Sequence, residues 1–96
     1  MKILDYILLE RTLYIKKSKL KDDGDTYSVI NTRYIVKKIN ELIKYYGIQK
    51  LQLKSITDET WIDRVEITVK CNKSTYLSFV NDLLEDLNGY ISGVRI

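Results

Sequence analysis

Asp82, Glu85 and Asp86 place three carboxylates within one short stretch, and neighbouring carboxylates are what general acid–base catalysis requires. The same stretch carries Leu83, Leu84 and Leu87 at helical spacing, which turns the acids toward water. A solvated helix face explains them more economically than a catalytic pair. "DDGD" at 22–25 has the acid-and-glycine look of a calcium loop. It lacks the ligand spacing and closing glutamate of an EF-hand, so it reads as a turn. Cys71 is the single cysteine and the chain has no histidine, so nothing of the usual kind is present to activate the thiol. It reads as a small buried hydrophobe. No phosphate-cradling glycine loop occurs. The residues therefore point to no catalytic group, no cofactor and no metal ligand set, and the chain is expected not to be an enzyme.

The totals agree with a binding or structural role. Ninety-six residues fit one compact core, and a net charge of +3, from 16 basic against 13 acidic residues, is too mild to argue for nucleic acid by itself. One cysteine excludes an internal disulfide. No apolar run approaches the roughly 20 residues of a membrane span, and Asp5, Glu10 and Arg11 interrupt the opening segment, so the chain reads as soluble.

Residues 33–46 set Ile35, Ile39, Leu42, Ile43 and Tyr46 on one side of a helix, with Asn31 or Thr32 as its cap and Gly47 at its end. "IQKLQLKSI" (48–56) puts Leu51 and Leu53 on one strand face. "WIDRVEITVKC" (61–71) turns Trp61, Val65, Ile67, Val69 and Cys71 one way, and Ile62, Arg64, Glu66, Thr68 and Lys70 the other. Together they read as an antiparallel hairpin with one buried face. Asn72 or Ser74 caps a second helix, whose apolar face is Tyr76, Val80, Leu83, Leu84 and Leu87. "NG" at 88–89 stops it, and "YISGVRI" (90–96) closes the order as a strand.

The first 30 residues have two readings. Ile3, Leu4, Ile7, Leu8, Arg11, Tyr14 and Ile15 follow helical spacing, and a helix is the preferred one. "RTLYIKK" (11–17) is equally a strand, which would complete a β-α-β-β-α-β order. The expected organisation is thus an N-terminal element and link over 1–30 and an α-β-β-α-β domain over 31–96. The expected class is α+β, a ferredoxin-like two-layer sandwich with helices on one face of an antiparallel sheet. Such sheets read single strands through exposed aromatics. Here the outward strand positions carry Gln, Lys, Arg, Glu and Thr, with Ile62 the apolar exception. "KKSKLK" (16–21) reads as a solvated link, and no nucleic-acid partner is expected. The eight tyrosines are expected to wall the edges of the core with their hydroxyls in water.

Residues 31–96 resemble the periplasmic domain of the PilO and GspM-type proteins of type IV pilus and type II secretion machines. The likeness lies in Val65, Ile67, Val69, Tyr76, Phe79, Val80, Leu83, Leu84, Val94 and Ile96, a core pattern with no catalytic group. The family's membrane helix has no counterpart here, nor has its last strand after Ile96. The resemblance implies a non-enzymatic assembly component at the periplasmic face of the inner membrane. It implies a homodimer, or a heterodimer with a paired inner-membrane platform protein, with a membrane tether only where an apolar helix lies upstream. Segment 90–96 is a candidate edge strand for such pairing, which makes Ile62, Tyr90, Ile91, Val94 and Ile96 the candidate interface residues. The alternative is a nucleic-acid-binding or small-ligand regulatory domain of the same architecture. Retention on nucleic acid that falls steeply with salt separates it from a concentration-dependent dimer.

Overall fold

The computed structural model describes residues 7–17, 25–56 and 64–95, with side chains from 32 to 55 in the middle segment. Six elements follow one another: β1 (Leu9–Lys17), α1 (Asp25–Tyr46), β2 (Gln49–Ile56), β3 (Arg64–Cys71), α2 (Lys73–Asp86) and β4 (Ile91–Arg95). The fold is α+β, with two helices and a four-stranded antiparallel sheet of order β2-β3-β1-β4.

Burial alternates along the two middle strands. Leu13 and Ile15 of β1 and Val65, Ile67, Val69 and Cys71 of β3 are buried, whereas the residues between them face outward. The helices supply the other half of the core. Ile35, Ile39 and Ile43 come from α1, and Tyr76, Phe79, Val80 and Leu83 from α2, all in one cluster with the strand residues. One sheet face is thus roofed, and among the described residues nothing covers the other. Fully burying each such aliphatic side chain contributes about 1.5–3 kcal/mol, which holds the layers together.

Both helices end where the local chemistry says they should. Asn72 is extended (φ −78°, ψ 166°), and its side-chain oxygen accepts from the Thr75 amide at 2.8 Å, capping α2. At the end of α1, Gly47 takes φ +65°. The Gly47 amide donates to the Lys44 carbonyl at 3.3 Å and the Ile48 amide to the Ile43 carbonyl at 3.0 Å. That pair is a Schellman motif, and its hydrophobic contact is supplied by the buried Ile43 and Ile48.

Four sequence expectations change. Residues 9–17 form a strand, not the preferred helix; Ile3 and Leu4 lie outside the described residues. Helical spacing and strand alternation overlap in this short run, and pairing on both sides with full burial of Leu13 and Ile15 decides for the strand. Helix α1 starts at Asp25, well before Asn31 and Thr32. The propensity cost of such polar residues inside a helix is at most about 0.7 kcal/mol each, too little to fix the start. In β2 the register slips between Lys50 and Gln52, leaving Leu51 without a cross-strand partner and 40 % exposed. Lys50 therefore sits on the roofed side with Leu53, and its ammonium reaches the Asn40 side-chain oxygen of α1 at 3.0 Å. Leu84 is also exposed, and Phe79 fills the core place expected of it. Trp61 lies outside the described residues.

An added Cβ at Gly47 meets no atom within 4 Å, so the cost of Gly47→Ala is purely the left-handed backbone. We expect a loss of about 1–2 kcal/mol, read as a lower urea midpoint with unchanged slope.

Candidate functional site

The carboxylate trio does not form an acid–base pair. Asp82 accepts a hydrogen bond from the Tyr46 hydroxyl, joining α2 to α1, while Glu85 and Asp86 face solvent. That bond, then desolvation and the Asp82 charge, pushes the Tyr46 phenol up to about 12. Cys71 is buried at the end of β3, and burial raises its thiol against the opposing pull of Arg11. Arg11 Nε donates to the Cys71 carbonyl at 3.2 Å, and its guanidinium lies 5.5 Å from the Tyr76 ring centre. Tyr76 is itself in the core, not at its rim, and its hydroxyl donates to the Thr12 carbonyl at 3.4 Å. These groups fasten helix to helix, strand to strand and sheet to helix.

The candidate interface residues fall partly within the described chain. Ile62 and Ile96 lie outside it. Ile91 and Val94 stand opposite Lys17 and Ile15 of β1, on the roofed side, and are only half covered. Tyr90 is 36 % exposed and packs on Tyr34 of α1, with ring centres 4.5 Å apart. Three of the five thus gather at the β4 edge. Among the described residues, no strand lies beyond β4 on that side.

The open sheet face brings together residues that the sequence reading set apart. In one cross-strand row, Lys54, Glu66, Tyr14 and Arg95 follow each other from β2 to β4. In the next, Lys16 stands between Arg64 and Gly93. The Glu66 carboxylate is shared by Lys54 at 3.4 Å and Arg64 at 3.5 Å. Beyond it, the Thr12 and Thr68 hydroxyls meet at 3.1 Å. Tyr14, Lys16, Arg64, Glu66, Gly93 and Arg95 line an open cleft of about 750 Å³. Tyr14 went unseen as an outward aromatic because the helical reading of its segment gave it no sheet face. The alternation of Leu13 and Ile15 with Tyr14 and Lys16 was the signal available.

Among the described residues no cluster of acids and cysteine is placed to hold a metal ion, and no helix is long and apolar enough to cross a membrane. No family model, curated protein or solved structure matches the chain.

The raised Tyr46 gives a pH test with a definite sign. An unfolded tyrosine titrates near 10.0 and the folded one near 12. Between those values the unfolded chain has lost the proton that the folded chain keeps, so stability falls as pH rises, and the contribution is complete below about pH 10. Tyr46→Phe should flatten that alkaline fall in urea melts taken across the window, with Tyr76 titrating alike in both proteins.

Proposed function

We propose that this chain is a ferredoxin-like, non-enzymatic assembly domain that docks through the edge of its sheet. The β-α-β-β-α-β succession and the order β4-β1-β3-β2 support the fold reading. The observation that carries the functional reading is the β4 edge. There, a strand border with no partner among the described residues coincides with apolar side chains that the fold leaves half covered: Tyr90, Ile91 and Val94, with Tyr34 beside them. The equivalent inward positions of β3 are at most 4 % exposed. A neighbouring strand supplies the missing backbone partners, and its side chains finish covering the row. Two copies related by a twofold axis satisfy each other in this way, as does a paired domain of the same shape.

The likeness of the core pattern to PilO and GspM-type periplasmic domains gives this docking a setting. In it the chain is a part of a type IV pilus or type II secretion platform at the periplasmic face of the inner membrane. It pairs with itself or with a companion platform protein.

Sedimentation of the purified chain from about 1 to 500 µM tests the proposal. A concentration-dependent dimer is expected, with slowed amide exchange over 91–95 and dissociation at least tenfold easier in Tyr90→Arg. A monomer across the whole range, with unprotected β4 amides alone and after mixing with a co-purified platform protein, overturns it.

A further inference from the structure

Four features of the open sheet face call for a ligand that is both anionic and flat. First, Lys16 and Arg64 are direct cross-strand partners. Like charges so placed repel and cost stability unless something lies between or above them. Second, the nearby carboxylate does not relieve them both. Glu66 already meets Lys54 and Arg64, and neither Lys16 nor Arg95 has an ion pair among the described residues. Three cationic side chains and one carboxylate line the cleft. Third, Tyr14 stands on a middle strand between Glu66 and Arg95, 42 % exposed, with no aromatic partner among the described residues.

Fourth, the floor beside Lys16 is Gly93, which borders the bulge where the β1–β4 register shifts between Lys16 and Lys17, and crowding requires no glycine there. Its φ is not in the left-handed range, and an added Cβ meets nothing within 4 Å. A strand pays for glycine in conformational entropy and lost packing, and often does so at a bulge or where a ligand comes close. At this position its effect is to keep the cleft open.

We infer that this face binds a nucleotide unit, with the base stacked on Tyr14 and the phosphate held by Lys16, Arg64 and Arg95. Aromatic stacking next to a cationic track is how sheets of this kind hold bases without reading them. Guanidinium groups suit phosphate oxygens by their fork of donors. The unit is supplied either by a free nucleotide or by a single strand of nucleic acid, since both present the same ring and phosphate. The site is separate from the half-covered β4 row, which faces the helices, so it stands or falls apart from the docking proposal.

Fluorescence anisotropy with labelled single-stranded oligonucleotides of two and eight residues, and calorimetry with AMP, ATP and inorganic pyrophosphate, test this. Saturable binding of at least one base-bearing probe is expected, several-fold tighter than pyrophosphate. Tyr14→Ala should weaken it about tenfold. Gly93→Val, which the backbone accommodates, should block it while circular dichroism and the thermal midpoint show a folded chain. Lys16→Glu should abolish it, and Lys16→Gln should weaken it and flatten its salt dependence. Affinity that climbs from two to eight residues identifies a strand as the source, and affinity already complete with AMP or ATP identifies the free nucleotide. No saturation below about 1 mM with any base-bearing probe overturns the inference. So does binding that Tyr14→Ala and Gly93→Val leave unchanged, or pyrophosphate binding as tightly as ATP.

Discussion

Strand β1 has neighbours on both sides, β3 along nearly its whole length and β4 along its second half. Along that second half its backbone donors and acceptors are satisfied by two ladders, and a slip of one residue would turn its whole buried set outward. Leu13 and Ile15, both fully buried, pin that register. Everything else takes its position from it. The roofed row of β3 continues the row of β1, β4 lies where β1 holds it, and the outward places of β1 fall to Thr12, Tyr14 and Lys16. The Tyr76 hydroxyl on the Thr12 carbonyl and the Arg11 guanidinium over the Tyr76 ring then tie the first turn of α2 to the same strand.

How much of this was legible depended on whether a segment had one satisfactory pattern or two. The alternation from Val65 to Cys71 and the stripe of Ile35, Ile39 and Ile43 each admit a single period, and strand and helix stand where those periods put them. Residues 7–15 satisfy two periods at once, and only long-range pairing separates them. The bulge at Leu51 is of the same nature: alternation assumes an uninterrupted ladder, and no local feature of "QKLQLK" announces the extra residue. Of the candidate interface, Tyr90, Ile91 and Val94 could be named from a terminal strand. The cationic cleft could not, because its members are far apart in sequence and meet only through the β1–β3 and β1–β4 registers.

The two candidate surfaces differ in the physics they exploit. At the β4 edge the driving force is apolar area that one chain cannot cover, so association there should tolerate salt and depend on shape. On the open face it is the excess of cations over the one carboxylate among the described residues lining the cleft, beside an exposed ring, so binding there should weaken as salt rises. In the two proposals one thin sheet meets two kinds of neighbour. The roofed side decides which residues border the edge, and the pleat sends every second side chain of the same strands to the other surface.

Cys71 adds a practical property to this architecture. The only thiol in the chain closes the roofed row of β3, opposite Leu9 of β1, with Arg11 fastened to its own carbonyl. Its burial and its raised thiol both keep it inert while that corner is shut. An alkylating reagent therefore gains access when the helix layer lifts from this corner or the β1–β3 seam parts, so its labelling rate times the opening of that end of the core.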